Sequence, residues 1–73
     1  MKIKYFEDTD TAQMEFSDHA VAETREINEN LYIDLDARGN VVNMTIEHAS
    51  VQADMRELAF QRIAAEESAR RMR

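Results

Sequence analysis

Leu31-Tyr32-Ile33-Asp34-Leu35-Asp36-Ala37-Arg38-Gly39-Asn40-Val41-Val42-Asn43-Met44-Thr45-Ile46-Glu47-His48 is the stretch on which the fold turns. Leu31, Ile33 and Leu35 alternate with Tyr32 and Asp34. A period of two marks a strand with one dry face and one wet face. Val42, Met44 and Ile46 alternate in the same way with Asn43, Thr45 and Glu47. Between the runs lies a short polar loop, residues 36–40, whose glycine is able to adopt φ > 0. The stretch predicts an antiparallel hairpin.

On its N-terminal side, residues 2–6 alternate, with Ile3 and Tyr5 opposed to Lys2 and Lys4. Residues 7–11 are a polar break. Residues 12–16 alternate again, with Met14 and Phe16 in phase, and Ser17-Asp18-His19 is a turn signal. Residues 21–27 are β-compatible with a weaker pattern, and Asn28-Glu29-Asn30 is a second turn. From Val51 the period lengthens to about 3.6. Val51, Met55, Leu58, Ala59 and Ile63 fall on one helical stripe, and Ser50 is the natural N-cap. Arg70, Arg71 and Arg73 lie where cations complement a helix C-terminus.

The predicted class is α+β. An antiparallel β-meander of four to five short strands over residues 1–48 is followed by one C-terminal helix over 50–72, packed on one face of the sheet. Residues 1–73 form a single domain. The stripe degrades after Ile63, and Phe60 lies off it. Met55, Phe60, Ile63 and Met72 are therefore expected to mediate self-association as a homodimer.

A chain of 73 residues holds one domain at most. A domain of this size buries only about 60% of its unfolded surface. There is no cysteine, so neither a disulfide nor a thiolate metal site supports it. Small scaffolds without such staples gain stability by oligomerising. No stretch approaches the roughly 20 apolar residues of a membrane span. The chain opens on a strand-like alternation and not on the apolar run of a signal peptide. The expected compartment is the cytoplasm, with no membrane contact.

The net charge of −6 is unevenly placed. Residues 1–50 carry eleven acids against four bases, and residues 51–73 carry four acids against five bases. A sheet half with a net charge of −7 repels a phosphate backbone, so direct nucleic-acid binding is not expected.

Three segments carry a resemblance. Val21-Ala22-Glu23-Thr24-Arg25-Glu26-Ile27, then residues 31–42, then Ile46-Glu47-His48-Ala49-Ser50, together resemble the domain-of-unknown-function family 2283. Members are short bacterial, archaeal and phage proteins that typically open with Met-Lys-Ile-x-Tyr, as this chain does. The resemblance covers roughly residues 1–50. It departs at Thr11-Ala12-Gln13-Met14-Glu15-Phe16, where the family usually carries an Asp-Ala-Leu-Tyr-Ile type strand, and at Asn43, where it often has glycine. The resemblance implies the fold and no activity. Some members look like the smaller partner in toxin–antitoxin-like gene pairs.

Candidate chemistry is sparse. Asp34-x-Asp36-x-x-Gly39 has the spacing that begins a calcium loop, but Arg38 stands where an oxygen ligand is required and Thr45 where a bidentate glutamate is required. It reads as a hairpin turn. His19 and His48 are the only imidazoles, at unrelated spacing, and too few for a metal site. His48 is in phase with Val42, Met44 and Ile46, which predicts a partly buried structural role. One glycine cannot build a phosphate loop, and no serine, threonine or lysine sits in a nucleophile motif. Neither an enzyme nor a cofactor or metal is expected.

The acidic wet face is the functional clue. Tyr32, Asp34, Asp36 and Glu47 share it by alternation, and Glu15 and Glu26 join them. Such a face serves solubility, or it steers the domain toward a basic protein. The sequence thus points to an interaction module that binds and inhibits a basic partner, in the manner of a small antitoxin. The alternatives are an acidic nucleic-acid mimic that blocks a phage-defence nuclease complex, and a structural homo-oligomer.

Overall fold

The computed structural model describes residues 1–64. It contains strands β1 (Lys2–Phe6), β2 (Thr11–Glu15), β3 (Glu23–Asn28), β4 (Leu31–Leu35) and β5 (Val41–Glu47), followed by helix α1 (Ala49–Gln52). The strands form one antiparallel sheet in the order β1-β2-β5-β4-β3.

The hairpin read from the sequence is β4–β5, and its loop is well defined. Gly39 N donates to Asp36 O at 3.0 Å, and Asp36 N donates to Asn40 O at 2.9 Å. Gly39 has φ 86°, so the loop is a tight turn closed by a left-handed residue that glycine adopts without strain. A bulge falls where Leu35 meets Val41, at the end of the ladder nearest this loop.

The strand order corrects the expected meander. β3, β4 and β5 are sequential neighbours, but β2 pairs with β5 and not with β3. The two hairpin units meet at β2–β5, which gives strands β2 to β5 a Greek-key order. Residues 16–22 make the crossing. They are fastened to the strands they pass: Phe16 N donates to Val42 O and Ala22 N to Leu35 O, both at 2.8 Å. The physical reason lies in the side chains. Ala12 and Met14 extend the apolar rows of Ile46 and Met44, whereas β3 is exposed at all six residues and fits only an edge. Glu23, Arg25 and Glu26, with a bulge beside Ile27, blunt that edge against further pairing.

Register places the apolar side chains on one face. Ile3, Met14, Met44 and Ile33 lie in one row, and Tyr5, Ala12, Ile46 and Leu31 in the next. Burial is shallow. Among the described residues only Ala12, Leu35, Val42 and Ala49 are buried, and no large side chain is fully enclosed.

The helix also departs from expectation. It spans four residues, and Ala53 is extended at φ −153°, ψ 162°. Residues 53–64 are not helical, so the predicted span of 50–72 fails from its second turn; its last part, residues 65–72 with Met72, lies outside the described residues. Two local reasons account for this. Asp54 Oδ1 accepts the Arg56 amide at 3.0 Å, a turn that competes with helical bonding. A short helix without a docked face does not repay its nucleation. Ser50 is not the N-cap either; that position is His48, at φ 55° and without a side-chain capping bond. His48 is exposed rather than partly buried, with Nδ1 2.9 Å from Asn30 Oδ1.

Candidate protein-binding face

The face opposite the apolar rows carries the polar alternates. Lys4, Gln13, Thr45, Tyr32 and Glu26 form one row across all five strands. Lys2, Glu15, Asn43, Asp34 and Thr24 form a second. Phe6, Thr11 and Glu47 begin a third at the C-terminal end of β5. Five of the six acidic-face residues expected from sequence, all but Asp36, thus lie on one surface.

Their electrostatic states differ. Glu15 is neutralised: Lys4 Nζ lies 2.8 Å from its Oε2 and holds its carboxyl below the usual range. Asp34 accepts from Thr24 Oγ1 at 2.6 Å and from Asn43 Nδ2 at 3.2 Å, so it ties three strands together. Asp36 belongs to the hairpin loop and is internal in role. Its Oδ1 accepts the amides of Arg38 and Asn40, each at 2.9 Å, and its Oδ2 lies 3.0 Å from His19 Nδ1. The side chain is 9% exposed. His19, then the two amides, hold its carboxyl below the ordinary aspartate range. Asp36 thus pins the β2–β3 crossing to the loop and offers little to a partner.

Glu26 and Glu47 remain, and Glu29 in the β3–β4 turn joins them. Of the four ion pairs among the described residues, none involves these three. They surround Tyr32, which is half-buried and donates its hydroxyl to Glu29 O at 3.4 Å. Burial, then the charges of Glu47 and Glu26, push that hydroxyl above its ordinary value. Lys4 stands four strand spacings from Glu26, roughly 19 Å at about 4.8 Å per strand. Salt screens exposed charges beyond about 8 Å, so Lys4 does not offset Glu26. The acidic face therefore divides into a neutralised half on β1–β2 and an uncompensated half around Tyr32.

The residues expected to self-associate are scattered. Met55 is half-buried in a cleft it lines with Tyr5 and Ser50. Phe60 is 76% exposed and shares a shallow groove with Met1, Ile3 and Leu58. Ile63 is exposed. They do not form a helical stripe.

Sequence reasoning missed Glu29 and Asp10. Glu29 sits in a turn, outside the alternation that sorts strand residues onto faces. Asp10 lies in a polar break, but its carboxylate accepts three hydrogen bonds, from Tyr5 and from the amide and hydroxyl of Ser50. Its only local signal is that aspartate tolerates left-handed backbone better than most residues.

Among the described residues no three histidine or carboxylate side chains converge on a point suited to a metal ion, and no helix is long and apolar enough to cross a membrane. No curated protein and no solved structure matches the chain. The sequence model for the family described as protein of unknown function (DUF2283) matches residues 2–50, and the chain belongs to that family.

Proposed function

We propose that this protein is a non-enzymatic, cytoplasmic interaction module that binds and inhibits a basic protein partner, as small antitoxins do, through Glu26, Glu29, Tyr32, Asp34 and Glu47. One observation carries the reading: three carboxylates, with no ionic partner among the described residues, surround a half-buried tyrosine on the sheet. An aromatic ring bordered by negative charge suits a surface rich in arginine and lysine. The charges steer the encounter and the ring supplies contact area. The acids of the β1–β2 half, already paired, contribute little.

The test uses the full chain as bait in lysate of the cell that encodes it, with release followed across a salt gradient. The double variant Glu26→Lys with Glu47→Lys is expected to weaken capture of a basic protein at least roughly tenfold. Lys2→Glu, on the neutralised half, is expected to leave it unchanged. Equal capture by wild type and the double variant would remove this face from the function. Displacement of the partner by duplex DNA at constant ionic strength would redirect the reading to a nucleic-acid mimic acting on a nuclease complex.

Self-association as a homodimer is the second reading. The exposure of Phe60 and of Leu58, which is 73% exposed, favours it. Because residues 53–64 are not helical, the contact would be a loop-and-sheet surface and not a helix pair. Sedimentation of the wild type against Phe60→Ala measures it directly.

A further inference from the structure

Two non-glycine residues have positive φ among the described residues: Asp10 at 54° and His48 at 55°. They come together where the chain leaves the sheet. Ala49 N donates to Asp10 O at 2.8 Å. Ser50 N donates to Asp10 Oδ1 at 3.0 Å, and Ser50 Oγ donates to Asp10 Oδ2 at 2.7 Å. The Tyr5 hydroxyl donates to Oδ1 from the other side at 2.5 Å. Ala49 is fully buried beneath this junction.

From Val51 to Ala64 the chain makes no other polar tie to the sheet. The hydrogen bonds of residues 51–64 stay within residues 48–56, as in Ala53 N to Ala49 O and Arg56 N to Asp54 Oδ1. Among the described residues, every hydrogen bond joining 49–64 to the sheet ends on Asp10. The same segment borders the apolar face at its β1 side, with Met55 half-buried and Leu58 and Phe60 mostly exposed. Met55 lines a cleft with Tyr5, and Leu58 and Phe60 line a groove with Met1 and Ile3.

Left-handed backbone is disfavoured for a residue with a Cβ, less so for aspartate than for most. Such strain persists only where surrounding contacts over-determine it. At Asp10 those contacts are the three donors to its carboxylate and the Ala49 amide on its carbonyl, and at His48 they include Asn30, whose Oδ1 lies 2.9 Å from Nδ1. We infer that Asp10 is the clasp of a strap: one side chain holds residues 49–60 across the β1 end of the apolar face, and releasing it uncovers Ile3 and Tyr5 while the rest of the sheet stays intact. β1 is an edge strand, so the strap can lift without disturbing the β2–β5–β4 centre. Opening would present an apolar strip beside a strand edge that has no partner in the sheet.

The test is amide hydrogen exchange by NMR on the full chain. Asp10→Gly accepts the backbone conformation without strain and keeps the carbonyl that binds Ala49, but removes the carboxylate. It is expected to speed exchange at Ser50 and Ala53 by about tenfold or more, the loss of charge-assisted bonds. It should also shift the Ile3 side-chain methyl signals, while exchange at Ile33 and Met44 stays as in the wild type. Ser50→Ala, which deletes only the hydroxyl bond, should give a smaller change at Ala53 with the same pattern. Unchanged exchange at Ser50 and Ala53 in Asp10→Gly would overturn the clasp. Equal loss of protection at Ile33 and Met44 would overturn it too, because Asp10 would then support the whole sheet and not a strap.

Discussion

Val42→Asp is expected to leave no cooperative unfolding transition at neutral pH, whereas Val41→Asp is expected to fold. The two residues are neighbours on β5 and receive the same change, but Val42 is 2% exposed and Val41 is 40% exposed. Val42 lies at the loop end of the apolar face, on a strand with partners on both sides. Replacing it forfeits about 1.5–3 kcal/mol of buried valine. A carboxylate without a partner in that place costs several kcal/mol more, or must take up a proton. A domain of this length has a total stability of about 4–11 kcal/mol at roughly 0.05–0.15 kcal/mol per residue. One substitution thus consumes most of it. Urea titration followed by circular dichroism decides the matter. Similar midpoints for the two variants would show that the sheet centre is not where the stability resides.

Acid should unfold the protein more readily than its composition alone suggests. The carboxyls of Asp10, Asp36, Glu15 and Glu23 are all held below their ordinary range: Asp10 chiefly by Tyr5 and Ser50, Asp36 by His19 and the loop amides, Glu15 by Lys4 and Glu23 by Arg25. A group whose folded pKa is depressed releases its proton more easily when folded. Its stabilisation is fully present above the unfolded value, about 3.9 for Asp and 4.3 for Glu. It is lost as pH falls through the folded value. The melting temperature should therefore be flat from neutral pH to about pH 5 and then fall steeply. At the alkaline end the sign reverses. Tyr5 and Tyr32 have raised values, Tyr5 chiefly through its bond to Asp10 and Tyr32 through burial. Their contribution holds below about pH 10 and is lost above it.

Asp36→Asn gives the sharper form of this second expectation. It keeps one oxygen for the loop amides but removes the charge that faces His19 and the two N–H groups. Its plateau should lie below that of the wild type, with a shallower acid limb, since the charge lost on protonation is already gone. A variant curve running parallel to the wild type down to pH 2 would mean that Asp36 contributes nothing to the acid limb.

The strands, their faces and the central hairpin were legible in the amino-acid order. β1 and β4 have the bounds that alternation predicts, and the others differ by a residue or two. The apolar rows contain the residues that share phase in the sequence. Both follow from the two-residue period of a strand, which is local and needs no knowledge of neighbours. The polar face was readable for the same reason, because Tyr32, Asp34, Asn43, Thr45 and Glu47 are simply the alternates of the apolar set.

Three other matters were settled by contacts made in the folded chain. β2 lies beside β5, and alternation could not say so: it tells which way a side chain points and nothing about which strand is next to it. The helix ends at Gln52, because a stripe at Val51, Met55 and Leu58 stabilises a helix only if a surface receives it, and here Asp54 turns the chain first. The choice of which carboxylates stay uncompensated is the third. Asp36 and Glu26 look alike along the chain, but His19 reaches Asp36 from 17 residues away, as Ser50 reaches Asp10 from 40. Among the described residues no cation pairs with Glu26; only the neutral Tyr32 hydroxyl reaches it. A carboxylate's availability depends on donors that arrive through folding, so it is set by contacts distant in the chain and not by the pattern around the residue itself.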